Sequence, residues 1–139
     1  MTVKAGESVT LPTPTRSGYK FMGWTEGSYT YQAGATFTPN TNVTLVAKWE
    51  AIKYTITCPT TATNSITASV DKTSATMGET VTITFSCTSW SSKTVYVTVT
   101  DANGNTLLEK TPISINRNST TTKTFTVGTA DVTIAVSTR

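Results

Sequence analysis

The chain has 139 residues, enough for one average domain or two small ones, and its eleven Lys and Arg against eight acids give a net charge of +3. It contains no His, which excludes an imidazole base, a Ser-His-Asp or Cys-His nucleophile and a His-bound metal, and its two Cys are too few for a structural zinc site. No apolar run approaches the roughly 18 residues that span a bilayer as a helix, and neither glycine-rich phosphate cradle occurs.

The remaining chemistry is sparse. The eight acids stand singly along the chain, so no carboxylate pair is expected. The eleven basic residues form no stripe for a phosphate backbone and read as solvated strand faces and edge-protecting lysines, so no nucleic-acid partner is expected. An enzyme and a cofactor are both expected to be absent. The 35 Thr and 13 Ser exceed a third of the residues. Thr is β-branched and suits the solvent face of a pleated strand, so Thr alternating with Val, Ile or Phe predicts half-buried strands. Period-2 alternation runs almost throughout and helical periodicity is nearly missing. Met1 leads straight into a stretch that reads like the middle of a module, as in a piece of a longer protein.

Residues 1–50 hold Gly6, Gly18, Gly23, Gly27 and Gly34 together with Trp24 and Trp49. Gly18 before Tyr19 suits a turn with positive φ, and Gly23 beside Trp24 permits the close approach of another backbone or ring. Pro12 and Pro14 interrupt ladder pairing and so punctuate the strands. A segment this small buries little surface, so Tyr19, Phe21, Trp24, Phe37 and Trp49 are expected to supply much of the core. Trp49 is also placed to pack under a second domain beginning near residue 54. Tyr29 and Tyr31, in the turn-like Glu26-Gly27-Ser28-Tyr29-Thr30-Tyr31, are the surface candidates for contact with a ligand.

Three blocks occur here in order: Gly6-Glu7-Ser8-Val9-Thr10-Leu11-Pro12; Pro14-Thr15-Arg16-Ser17-Gly18-Tyr19-Lys20-Phe21-Met22-Gly23-Trp24; and Asn42-Val43-Thr44-Leu45-Val46-Ala47-Lys48-Trp49. This stretch, residues 3–50, resembles the Listeria–Bacteroides repeat, the internalin B-repeat family of bacterial surface proteins. Members usually open with an additional strand, which here is missing or reduced to Thr2-Val3-Lys4. The resemblance implies a β-grasp-like module, strung in tandem along surface proteins as a spacer or adhesion module, with no catalytic residue to carry over.

Residues 51–53 read as a short stiff linker, since Glu50-Ala51-Ile52-Lys53 contains no turn residue. Residues 54–139 offer seven strand candidates: 54–58, 66–71, 80–88, 94–101, 106–115, 121–127 and 132–137. In the clearest, Val81, Ile83, Phe85 and Cys87 point one way while Thr80, Thr82, Thr84 and Ser86 point the other. Seven short alternating strands at this spacing predict an immunoglobulin-like β-sandwich. The run from Val70 to Thr82, with its Gly78-Glu79-Thr80-Val81-Thr82 turn, looks like bacterial Ig-like surface domains.

Three features of this second region bear on function. Asp101-Ala102-Asn103-Gly104-Asn105 looks superficially like a calcium loop, but Pro112 falls where the bidentate acid belongs, and Asn-Gly between alternating strands predicts a type I′ hairpin. Cys58 and Cys87 are open to either a disulfide or free thiols; Cys87 shares the inward phase of its strand. Trp90, in the polar loop Thr88–Ser92, is either a lid on the core, the preferred reading, or an exposed contact residue.

The expectation is therefore an all-β fragment in two domains, a small β-grasp-like module and a seven-stranded Ig-like β-sandwich, from a protein at the surface of a bacterium or secreted by it. Its expected work is that of a structural spacer, an adhesion module, or both. Its expected partners are other domains of the same protein, with a host or bacterial surface protein or glycan as a further partner. No insertion into a membrane is expected. The competing reading is a carbohydrate-binding module that stacks sugars on exposed aromatics drawn from Trp24, Tyr29, Tyr31 and Trp90, although core packing is the preferred reading for Trp24.

Overall fold

The computed structural model describes residues 1–139, which form fifteen β-strands and no helix. Consequently no helix is long and apolar enough to cross a membrane. The chain divides into two units, Met1–Ile52 and Lys53–Arg139.

The first unit contains β1 (Thr2–Val3), β2 (Val9–Thr10), β3 (Tyr19–Glu26), β4 (Tyr29–Tyr31), β5 (Thr36–Phe37), β6 (Val43–Thr44) and β7 (Val46–Ala51). They pair as two antiparallel two-stranded ladders, β1 with β6 and β2 with β5, and one three-stranded sheet in the order β4-β3-β7. In β1, Thr2 and Val3 stand opposite Thr44 and Val43 of β6. Val3 is fully buried.

The core of this unit is formed by Val3, Leu11, Trp24, Phe37 and Leu45. Aliphatic residues therefore carry more of it than the aromatic reading predicts; Tyr19, Phe21 and Trp49 are only half-buried. A register shift between Phe21 and Gly23 marks a bulge in β3 against β7. An extra residue reverses the side-chain phase of a strand. This brings Phe21 and Trp24, three positions apart, into edge-to-face contact with ring centroids 5.7 Å apart. Gly23 makes the bulge feasible: its φ is +129°, and a Cβ there would sit 2.7 Å from Thr30 Cγ2 and 3.0 Å from the Tyr31 carbonyl. The Trp24 indole N–H donates to the Pro12 carbonyl at 2.9 Å, so its burial leaves no polar group unpaired.

The second unit contains β8 (Tyr54–Thr57), β9 (Ile66–Val70), β10 (Ser74–Ala75), β11 (Thr80–Cys87), β12 (Lys93–Asp101), β13 (Thr106–Ile115), β14 (Thr120–Thr126) and β15 (Val132–Ser137). One sheet runs β10-β8-β15-β12-β13 and the other β14-β11-β9. All pairings are antiparallel except β8 with β15, which is parallel. Val81, Ile83 and Phe85 from one sheet and Val95, Val97 and Val99 from the other are fully buried in a single apolar cluster. The alternation of β11 and β12 is the direct cause: every second residue is apolar and the intervening hydroxyls stay outside. The eighth strand, β10, has no such signal. It forms because Ala75 is buried and Ser74-Ala75 lies alongside Thr55-Tyr54.

The β12–β13 hairpin differs from the expected type I′ turn. In its loop only Gly104 has a positive φ, +85°, whereas type I′ requires positive φ at Asn103 as well. The Gly104 N–H donates to the Asp101 carbonyl, and the Asp101 N–H to the Asn105 carbonyl, at 3.0 Å each. This is a three-residue loop with Gly in the left-handed position. Its organiser is Asp101, the one buried charged side chain. Asp101 Oδ1 accepts the Asn103 and Asn105 amides at 3.0 Å each, and Oδ2 accepts the Asn105 side-chain amide at 3.2 Å. Desolvation pushes this carboxyl upward, but the Asn105 and Asn103 hydrogen bonds outweigh it and hold it below its ordinary value.

Both cysteines are free thiols. Cys87 is buried at the end of β11, in one sheet, and Cys58 comes directly after β8, in the other. The structure places no bond between them. Burial pushes the Cys58 thiol up, opposite to the downward shift that activates a thiol nucleophile.

Candidate functional site

Three loops meet at one end of the second unit: the turn before β9, the β11–β12 loop Thr88–Ser92 and the β13–β14 loop Asn116–Ser119. Strand pairing delivers them there and local hydrogen bonds lace them together. The Thr88 N–H and hydroxyl both donate to the Ser65 carbonyl, at 3.0 and 3.1 Å. The Asn64 side-chain amide donates to the Thr94 carbonyl at 3.0 Å. The Cys87 N–H donates to the Ser119 carbonyl at 2.9 Å, and the Ser92 hydroxyl to Asn116 Oδ1 at 3.3 Å. The non-glycine residues with positive φ in this protein are Asn64, Ser65 and Asn118, at 51°, 63° and 53°, and all three lie in these loops. Asn tolerates that region; Ser does so less readily. Backbone held in such conformations concentrates at functional surfaces.

Trp90 projects from this end and is 80% exposed, the most exposed large hydrophobic residue of the protein. This overturns the preferred reading of Trp90 as a lid. Ile66, Cys87 and Ile115, at the strand ends that carry these loops, are buried without it. The backbone on either side is fixed: the Ser91 N–H donates to the Ser89 hydroxyl at 3.2 Å, and the Cys87 thiol lies 3.7 Å from the Ser91 carbonyl. Arg117 places its guanidinium carbon 5.5 Å from the Trp90 ring centroid, a cation–π contact between two loops. The result is a broad aromatic face, a planar cation and a surround of hydroxyl and amide groups. Trp and Arg are the side chains that dominate binding energy at protein interfaces. Arg117 carries no signal in the sequence, because nothing in the spacing of residues 90 and 117 shows that their loops converge.

The other two contact candidates lie in the first unit, on β4. Tyr29 is 69% exposed. Tyr31 is half-buried, its ring tilted against Phe37 with centroids 4.8 Å apart, and it belongs to the packing of that unit. No group of three or more His, Cys, Asp or Glu side chains is gathered into a cluster able to hold a metal ion. What the loop end can do chemically is stack and donate or accept hydrogen bonds.

Residues 1–48, about a third of the chain, match the family model of the Listeria-Bacteroides repeat domain. This is a family of non-catalytic domains associated with bacterial surface proteins. Comparison with curated proteins and with solved structures returns no match.

Proposed function

We propose that this chain is a non-catalytic segment of a bacterial cell-surface or secreted protein, acting outside the cell, in which the first unit is a spacer and the second presents an adhesive loop end. The observation that supports this most is the 80% exposure of Trp90 beside Arg117, on loops pinned by their own hydrogen bonds. Exposing an indole to water is unfavourable by about 1.5–3 kcal/mol relative to burying an apolar side chain of comparable kind. A fixed, exposed indole is what a partner surface would cover. The partner class is a protein or glycan on a host or neighbouring bacterial surface. The carbohydrate-binding alternative draws less support from Tyr29, Tyr31 and Trp90, since Tyr31 packs on Phe37, and Tyr29 and Trp90 belong to different units.

The test is adhesion of beads coated with the chain to cultured epithelial cells and to bacterial cells. Trp90→Ala and Arg117→Ala are expected to lower attachment about tenfold, as for central interface residues. Their thermal midpoints should stay at the parent value, because changes at such exposed positions alter stability by only about 0.5 kcal/mol. Attachment equal to the parent in both variants would overturn the adhesive reading.

A further inference from the structure

The first unit carries a trough of about 670 Å³ that no sequence motif announced. Its volume falls within the range of small-molecule clefts. The floor is aromatic. Tyr19 and Phe21 share one face of β3, and Phe21 stands opposite Trp49 of β7 with ring centroids 5.5 Å apart and planes at 68°. All three rings are half-buried, so each keeps part of its surface open. The rest of the lining is largely polar, with Gln32, Thr13, Thr15 and Ser17 contributing amide and hydroxyl groups.

Arg16 is fixed above this floor by its turn. The Tyr19 N–H donates to the Arg16 carbonyl at 3.1 Å, and Gly18, third in the turn, has φ +79°, the arrangement of a type II turn. The turn folds the guanidinium back over the Tyr19 ring, 4.0 Å from its centroid. A stacked guanidinium keeps its N–H edge free for bidentate donation. No carboxylate lines the trough, so the charge of Arg16 is unanswered there.

We propose that this trough binds a sugar bearing a carboxylate group. The apolar C–H face of the sugar lies against Phe21 and Trp49, beside the Tyr19 ring that Arg16 covers, the Gln32 amide and the lining hydroxyls take the sugar hydroxyls, and Arg16 takes the carboxylate. A proline-rich peptide fits less well, because it seats between roughly parallel aromatic ridges and these rings meet edge to face. The site is separate from the loop end of the second unit, and its failure would leave the adhesive reading untouched.

The experiment uses the intact chain, titrated with a glucuronate-containing tetrasaccharide, with sialyllactose, with lactose and with a proline-rich peptide, following the Trp49 indole N–H resonance. At least one carboxylated probe is expected to saturate with a dissociation constant of about 1 mM or tighter. Arg16→Gln is expected to weaken it by about tenfold or more, with Arg16→Lys intermediate and Trp90→Ala without effect. Arg16 is exposed, so these variants keep the fold. The proposal is overturned by any of four outcomes: no saturation by either carboxylated probe below about 10 mM, equal binding of lactose, indifference to Arg16→Gln, or Arg16-dependent binding of a proline-rich peptide in place of the sugars.

Discussion

The two units solve the same problem, closing an all-β core, by different means. In Lys53–Arg139, long alternating strands supply seventeen buried residues to one apolar cluster, and the fold arises from the pattern itself. In Met1–Ile52 four of the seven strands are only two residues long, and five buried residues form the core. There the shape is set by backbone geometry: a bulge at Gly23, left-handed turns at Gly6, Gly18, Gly27 and Gly34, and an indole tied to the Pro12 carbonyl. The first design depends on burial and the second on conformation. The same chemical insult should therefore hurt them unequally.

The largest expected effect is Phe85→Ala. Phe85 is fully buried in the middle of β11, paired on one side with Thr121 and on the other with Ala68. Removing a core Phe costs about 3–5 kcal/mol through lost burial and the cavity left behind. Hydrogen exchange of the β11 amides under native conditions should accelerate accordingly; protection equal to the parent would show that the cluster is not what holds this unit. Next comes Gly23→Ala, expected to cost about 2–3 kcal/mol by forcing an L residue into a left-handed conformation against the Tyr31 carbonyl. Urea unfolding followed by Trp fluorescence measures it. A cost below 0.5 kcal/mol, roughly that of a neutral surface change, would mean that the bulge relaxes and that conformation does not govern this unit.

The smallest effect concerns pH. The Asp101 carboxyl titrates below its ordinary value in the folded protein, so its contribution is fully present above the unfolded value of about 3.9. That contribution is lost as pH falls through the lower, folded value. Acidification should therefore release the Asn103 and Asn105 amides, visible as rising exchange or shifting amide resonances below about pH 4. Asp101→Asn should abolish that pH dependence. Persistence of the transition in the variant would assign it to another group.

Legibility from the sequence divides along the same line. The strands β11, β12 and β15 can be read because Thr and Val alternate with period two, and the apolar phase alone fixes which face is buried. β10 cannot, since Ser74-Ala75 has no pattern and its pairing is imposed by β8. The Asn103-Gly104 dipeptide announces a hairpin but not its loop length, because Asp101 redirects the turn by accepting the two amides itself. In the first unit Gly23 and Trp24 are legible as a place of close approach, whereas the trough is not. Arg16 reaches the Tyr19 ring only through the turn at Gly18, and Trp49 meets Phe21 only through pairing across β3 and β7. Trp90 stands out in the sequence as a contact candidate, yet a lid is the reading its polar loop favours. Ile66, Cys87 and Ile115 are buried without it, which residue order does not reveal.

One pairing has a mechanical consequence. β8 and β15, the first and last strands of the second unit, run parallel, with Ile56 opposite Val132 and Thr57 opposite Thr133. A tensile load that enters near Lys53 and leaves near Ser137 pulls these neighbours lengthwise in opposite directions. Their inter-strand bonds must then shear together; they cannot open one at a time like a zipper. Stretching single molecules should accordingly register one abrupt rupture for this unit and no gradual opening.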